Sequence, residues 1–512
     1  MTGLPQGWAV AKGEQLFELV RGVTYDKTEV VAHAQTGFVG VLRATNIQNG
    51  EADRSDLVYV PSHCVSEKQM LQELDLLIAT SSGSRSVVGK LAEIGKGFEG
   101  HSFGAFCSVA RPVTPEFSKW VSYFSKSRAY RDYVEAVALG TNINNFRSRD
   151  IDRLEIPLPP LPEQRRIVRK LDTLSARSTT ARTHLTAIER LVERYKESLR
   201  QQAFVGVMSA SWREHAKHDE DGSVLLDHIR HLHKTYWLQM LREKMPVGRP
   251  TSSDAALLKK YQAPERLTET DQPHGVPQTW TWAAAEEIVE PGAEIVYGIV
   301  QPGPRLENGI PYVRGMDIVN GVIQTGQLLK TSPEIAQKYE RASLRGNDIL
   351  LGIIRATKVA IVPPEIEGAN ITQGTARFRP SCVISTEFLA HWLSSKTAQS
   401  WLHAKYRGID MPGLNLRDVR RVPVPLPPLE EQREIVRRIE TAFAKIDRLK
   451  AEAAKALKLL GHLDQRILAK AFAGNLVPQD PTDEPAETLL TRIREARAKA
   501  QKVKRGRKSG VS

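Results

Sequence analysis

The sequence predicts an α+β fold: two mixed α/β domains separated by a long antiparallel two-helix coiled coil, with an internal pseudo-two-fold repeat. Three observations carry that expectation. A block of 58 residues, 149–206, recurs without gaps as 417–474. Each block holds apolar residues at heptad spacing. Residues 1–156 and 272–424, which precede the blocks, hold short apolar runs bounded by Gly, Ser, Asn and Pro. That is the pattern of strands and turns.

In chain order, residues 1–156 form the first domain. The runs Phe38–Leu42, Leu57–Val60, Leu74–Ala79, Val87–Ile94 and Ala105–Ala110 read as strands. Residues 116–138 read as one helix carrying Trp120, Tyr123, Phe124, Tyr130 and Val134.

Residues 157–206 form the first spacer helix. Residues 157–169 read PLPPLPEQRRIVR and residues 425–437 read PLPPLEEQREIVR, identical at eleven of thirteen positions. The prolines make a short stiff connector. Pro162, Glu163, Glu430 and Glu431 suit a first helical turn, where backbone N–H groups are free and the dipole favours carboxylates. The stripe then runs through Ile167, Leu171, Leu174, Leu185, Ile188, Val192 and Leu199. No Pro or Gly interrupts residues 163–205, and Gly206 suits a C-cap. Such a helix, of ~41 residues, would be ~60 Å long.

Residues 207–271 form a connector with helical segments. Its Leu225-Leu226 and Ile229-Arg230 resemble Leu489-Leu490 and Ile493-Arg494. His228, His231 and His233 cluster here, but two of their spacings do not share a helix face. A solvated face is the reading, and no metal site is expected.

Residues 272–424 form the second domain, with strands near 310–314, 349–354 and 358–362 and a helix through Phe388, Trp392, Trp401 and Leu402. Weaker matches tie it to the first domain: Gly3–Trp8 with Gly275–Trp280, Arg43–Ile47 with Arg314–Ile318, and Asp75–Ile78 with Asp348–Leu351.

Residues 425–474 form the second spacer helix, with Ile435, Ile439, Ile446, Leu449, Leu460, Leu463 and Ile467 in the stripe. Gly461 lies inside it at a cost of ~1 kcal/mol against alanine. Each stripe needs a partner, and the matching stripe of the same chain is the obvious one. A two-fold relation between the copies then favours an antiparallel pair, with one domain at each end of a rod. The seam alone also permits a parallel pair.

Residues 475–512 form a basic C-terminal tail. The chain carries 72 Lys+Arg against 59 Asp+Glu, a formal charge of +13. Residues 492–508 hold nine basic residues and one acidic, so they supply most of the excess. Residues 492–508 read as a solvated, partly helical extension. A basic balance points toward polyanions, nucleic acid first. Cys64, Cys107 and Cys382 are too few and too scattered for a disulfide framework or a CxxC zinc site. No apolar run approaches the ~18 residues of a membrane helix, and no secretory signal is visible. These features suggest a cytoplasmic protein.

Catalytic motifs do not assemble. Gly95–Gly100 matches GxGxxG without the helix that should follow, and reads as a glycine-rich hairpin. Gly83–Leu91 is one residue too long for a P-loop and has Leu91 where Ser or Thr belongs. There is no [DNS]PP[YFW]. No catalytic residue and no cofactor are expected in this chain.

The duplicated Ile156–Val168 and Val424–Val436 segments, with LDLLIATSSGSR at 74–85, DILLGI at 348–353 and Gly140/Gly408 ahead of Arg149/Arg417, resemble the specificity (S) subunits of Type I restriction-modification systems. The likeness covers residues 1–475. The long connector and the basic tail depart from it. The resemblance implies two target-recognition domains, each reading one half of a bipartite, asymmetric double-stranded DNA site. It implies that the spacer helices set the separation and dock two methyltransferase subunits, with restriction/translocase subunits joining them. S-adenosylmethionine, ATP and Mg then belong to the partners.

Base readout needs Arg, Lys, Asn, Gln, Ser or Thr on loops. In the first domain the candidates are Arg43, Asn46, Ser82, Ser84, Arg85, Lys90, Asn142, Asn144, Asn145 and Arg147. In the second they are Arg314, Asp317, Arg355, Thr357, Lys358 and Asn415. Three other readings stay open at this point: a stand-alone, non-enzymatic bipartite DNA-binding regulator, a fused methyltransferase or nuclease, and a coiled-coil scaffold that never touches DNA.

Overall fold

The computed structural model describes residues 3–48, 50–138, 144–216, 220–245, 253–408 and 410–508. The chain divides into two compact units: residues 1–186 with 453–512, and residues 187–452. The division cuts both long helices. Each unit therefore joins one globular part to the near end of its own helix and the far end of the other copy's helix.

In the first unit a six-stranded sheet has the order Phe17–Arg21, Cys107–Pro112, Leu76–Ala79, Leu91–Glu93, Glu51–Ala52, Ile47–Gln48. Beside it, Phe38–Leu42 pairs antiparallel with Val58–Pro61 and parallel with His101–Phe103. The second unit repeats the plan with Val296–Tyr297, Thr375–Phe378, Ile349–Gly352 and Val359–Ile361 in one sheet. There, Ile310–Val313 pairs parallel with Asn370–Ile371. Gly95–Gly100 is not a hairpin: its flanking strands belong to different sheets, and the segment carries the chain between them.

One buried ion pair recurs in both units. Asp75 accepts from the Gln72 N–H (2.9 Å) and takes Arg111 through Nε and Nη2, both at 2.8 Å. Asp348 accepts from the Arg345 N–H (2.8 Å) and takes Arg379 in the same way. The preceding residues, Leu74 and Asn347, both have φ 71°. A left-handed leucine costs about 1–2 kcal/mol. The carboxylate's hydrogen bonds hold the turn in place.

The proline runs are strands rather than connectors alone. Ala9–Lys12 pairs with Glu155–Leu158, and Thr281–Ala284 with Pro423–Leu426. Two-stranded ribbons tolerate proline because one edge needs no N–H donor. The helices that follow, Leu161–Phe204 and Leu429–Phe472, are 44 residues each. The Glu-Gln pair that both helices carry is buried. Glu163 accepts from Trp8 Nε1 (3.1 Å), and Glu431 from Trp280 Nε1 (2.9 Å). Gln164 donates to the Glu116 carbonyl, and Gln432 to the Val383 and Pro427 carbonyls. The motif therefore fastens each helix to the globular part it leaves.

At the far helix ends, Gly206 and Gly474 take φ of 78° and 73°. A Cβ at Gly206 would lie 2.4 Å from Pro277, and one at Gly474 2.3 Å from Pro5. Glycine is needed there for both φ and space. Each helix end thus closes onto the other copy's first residues.

The single helix expected over 116–138 is two, Pro115–Phe124 and Arg128–Val137, with Ser127 capping the second. The second unit breaks at the matching place, with Ser395 capping Lys396–His403. A serine N-cap competes with continuing the helix.

In the second unit the long helices pair antiparallel: Lys196 reaches Asp447 (2.5 Å), while Lys450, farther along its helix, faces Glu193 and Glu189, earlier on the other. In the first unit Ser178 and Arg182 both meet Asp464 (2.7 and 2.9 Å). The heptad stripe needs correction. Ile167, Leu171, Val192, Leu199, Ile435, Ile439 and Ile446 are buried, and Leu174, Leu185, Ile188, Leu460 and Ile467 are half-buried. Leu449 and Leu463 are exposed, at 59% and 51%. Past Ile446 the shielded positions include Lys450, Ala453, Ala456, Leu457, Leu460, Gly461, Asp464, Ile467, Leu468 and Ala471. Lys450 and Asp464 stand one residue beyond Leu449 and Leu463.

Two segments expected to be peripheral contribute to cores. In Gly222–Glu243, Leu225, Leu226 and Ile229 pack into the second unit. His233 also turns inward, to the Val289 carbonyl (3.1 Å), while His228 and His231 are exposed. In Ala486–Lys508, Ala486 and Leu490 are buried in the first unit. Arg497 adds a bond to the Phe17 carbonyl (3.0 Å). The helix thus starts in the core, ahead of residues 492–508, and Arg497 ties that stretch back to the first unit. Among the described residues, no helix is long and apolar enough to cross a membrane.

Candidate nucleic-acid interface

Both units build one surface from the same backbone. In the first, the Gly104–Cys107 turn closes through the Cys107 N–H to the Gly104 carbonyl (2.8 Å). It is held from one side by the Val23 N–H to the Phe103 carbonyl (2.8 Å) and from the other by the Thr80 N–H to the Phe106 carbonyl (2.9 Å). In the second, the Thr375 N–H closes on the Thr372 carbonyl (3.1 Å), the Ile299 N–H bonds the Ile371 carbonyl (2.7 Å) and the Ile353 N–H bonds the Gly374 carbonyl (2.9 Å). A Cβ at Gly22 would sit 2.1 Å from the Gly104 carbonyl oxygen, and one at Gly298 1.9 Å from that of Ile371. Glycine permits that approach in both units.

The exposed side chains on this common frame differ. In the first unit, Tyr25, Arg43, Thr45, Ser81, Ser82 and Phe106 line a cleft of about 560 Å³. In the second, Gly374 stands where the first has Phe106, Met316 where it has Thr45, and Tyr297 and Val300 are exposed nearby. Beneath the first cleft, burial pushes the Cys107 thiol up to about 12, so it stays a neutral apolar filler.

Of the residues chosen from sequence, Arg43 and Ser82 share the 560 Å³ cleft. Arg85 and Asn144 line a second, of about 510 Å³. Ser84, Lys90 and Arg147 are exposed but line neither. Asn142 lies outside the described residues, as does Gly140. Arg43 is partly committed, its Nη2 donating to Asp56 Oδ2 at 2.7 Å.

Several candidates are held by the protein instead. Asn46 is 1% exposed; it accepts from the Arg43 N–H (2.8 Å) and donates to the Asp56 carbonyl (3.2 Å). Asp317 takes the matching place, binding the Arg314 N–H, Nε and Nη2. These pairs cap a turn in each unit, which explains why Arg43–Ile47 and Arg314–Ile318 look alike. Asn144 and Thr357 are buried too, Asn144 on a short strand facing Ser82 and Thr357 bonded to Gln399 and His403. Asn145 accepts from the Ser81 hydroxyl (2.6 Å), and Asn415 caps Leu416–Arg420. Lys358 is exposed, with its ammonium on the Ile318 carbonyl (2.9 Å). Arg355 is exposed and sits at φ 66°, on the backbone that follows Ile353.

Sequence reasoning missed Phe106, Tyr25, Tyr297 and Met316. Phe106 was absorbed into an apolar run read as a strand, whereas the strand begins at Cys107. The Gly104-Ala105 step ahead of it was the available signal.

A family model described as the Type I restriction modification DNA specificity domain matches residues 5–190 and 304–458. The chain is 29% identical to the Type I restriction enzyme EcoKI specificity subunit of Escherichia coli K12, over 99% of this chain and 98% of that one. It is 30% identical to the StySPI specificity subunit of Salmonella potsdam, with the same coverage. A solved chain described under the assembly and conformational transition of the type I R-M system aligns with TM-score 0.59 at 19% identity. That alignment covers 93% of this chain and 100% of the other, and the fold is shared.

Proposed function

The chain belongs to the Type I restriction-modification specificity family, and from that premise we propose that its two units read the two unlike halves of a bipartite DNA site. One observation carries the reading: the turns around Phe106 and Gly374 have matching backbone hydrogen bonds and different exposed side chains. A shared frame with unlike contact residues is what two readers of different base sequences require. Residues 1–156 and 272–424 are the target-recognition domains in this proposal, residues 157–206 and 425–474 the spacer helices, 207–271 the connector and 475–512 the basic tail. Arg85 and Arg355, exposed on their loops, are suited to base edges or phosphates, and Lys90 and Arg147 to phosphates.

The spacer helices also dock two methyltransferase subunits, which restriction/translocase subunits join. Methyl transfer and cleavage, with S-adenosylmethionine, ATP and Mg, take place in those partners. The chain itself selects the site. Replacing residues 1–150 with the corresponding segment of a relative, then mapping methylated sites of the assembled complex, tests the reading. One half-site should change and the other persist. A change in both halves refutes independent reading. Failure of the chain to co-purify with a methyltransferase in a complex of roughly two to one would favour a stand-alone DNA-binding regulator.

A further inference from the structure

The exposed ring of Phe106 is the least expected feature of the first unit's surface. It is 67% exposed, although the unit has an apolar core beside it containing Phe103, Cys107 and Val109. The backbone gives it no freedom to turn in: the Phe106 carbonyl accepts from the Thr80 N–H, the Ser81 N–H and the Thr80 hydroxyl. The ring stands at the edge of a mostly apolar recess whose rim carries Tyr25, Arg43, Ser81 and Ser82. The second unit has the same turn with Gly374 in its place, so the frame does not need an aromatic there.

An isolated exposed phenylalanine needs no explanation. A rigidly presented one, over an apolar recess and among hydrogen-bonding side chains, does. On the groove edges of duplex DNA the apolar group is the C5-methyl of thymine; the other exposed groups are donors and acceptors. We propose that Phe106 and the recess beside it read a thymine methyl in the half-site recognised by the first unit, and that the second unit, with Gly374, makes no equivalent contact. The inference rests on the proposed reading of bipartite DNA and deepens it by naming a specificity-determining residue.

The test uses the full chain assembled with its methyltransferase partners and a duplex carrying the cognate site. Each thymine is replaced singly by uracil, which deletes the methyl and leaves the pairing edge intact. For wild type, one such change in the first half-site should weaken binding roughly fourfold, the worth of one buried methyl group. Phe106→Ala should bind thymine and uracil duplexes equally, and Phe106→Leu should keep part of the discrimination. In the second half-site, Phe106→Ala should leave the uracil series as it is in wild type. Melting curves check that the variants are folded.

A first half-site in which no thymine responds, or one that contains none, overturns the proposal. So does a Phe106→Ala complex that still discriminates uracil as wild type does. Affinity lost without methyl dependence would mark Phe106 as a wedge between base steps and overturn it equally. In these cases site-specific binding by wild type persists and the bipartite reading stands. Absence of any site-specific binding defeats both together.

Discussion

The two Glu-Gln latches, alike in sequence, should respond differently to one substitution. Glu431 is fully buried and accepts from the Ser209 hydroxyl (2.6 Å), Arg213 Nε (2.9 Å) and Nη2 (2.7 Å), and Trp280 Nε1 (2.9 Å). Arg213 is itself only 18% exposed along its side chain. Glu431→Gln keeps the shape and removes the charge, so Arg213 loses its carboxylate in a largely dry site. Removing one member of a buried pair costs about 3–5 kcal/mol, and the partial access of Arg213 places the expectation near ~3 kcal/mol. Glu163 is also buried, but accepts from Trp8 (3.1 Å), while the nearby Arg166 is engaged by Asp483 (2.6 Å). Burial raises the Glu163 carboxyl above the ordinary range. A raised folded-state value means that folding favours the protonated form, so this group's contribution falls as pH rises through that value. Glu163→Gln imitates the neutral form and should cost at most about 1 kcal/mol, one hydrogen bond. Hydrogen exchange at the amides of residues 431–437 and 163–169 reads each latch separately, which a global melt of a two-unit chain cannot do. Equal losses in the two variants, or a larger loss for Glu163→Gln, would refute the assignment of Arg213 as the source of the difference.

Four further outcomes are expected. Gly461→Ala should stabilise by about 1 kcal/mol, since the helix has open space at that Cβ; a thermal shift in the opposite direction would contradict this. Asn46→Ala and Asp317→Ala should each destabilise by about 1 kcal/mol and leave the identity of both half-sites unchanged in the methylation map, because these side chains cap turns. Glu434, held to about 2 by Arg437 and Arg438, contributes stability above the ordinary glutamate value that is lost as pH falls toward 2. Glu434→Gln should flatten the acid limb of exchange at the helix start. Inserting one heptad into residues 163–204 should change the spacer length of the recognised site or prevent assembly; an unchanged spacer means the helix is not the ruler.

The duplication made much of the fold legible. Matching segments had to fold alike, and the heptad stripe announced helices with apolar faces. The stripe misled at Leu449 and Leu463 because the shielded place beside each goes to a charged neighbour, Lys450 or Asp464, which pairs with Glu193 or with Ser178 and Arg182 on the facing helix. The helix breaks at Ser127 and Ser395 were missed because apolar periodicity continues across a cap. The contact surface was less legible. Arg43, Asn46, Arg314 and Asp317 had the right chemistry for bases, yet shared spacing in both copies was the mark of a common turn. Residues that differ between copies on a common backbone, such as Phe106 against Gly374, are the better guide, and matching them required the turns to be superposed by their hydrogen bonds.

The most direct measurement is the methylome of a host with and without this gene. The account expects a gene-dependent motif of two short, unlike sequences separated by a fixed unread gap. A single continuous motif, a palindrome with identical halves, or no gene-dependent methylation would contradict it.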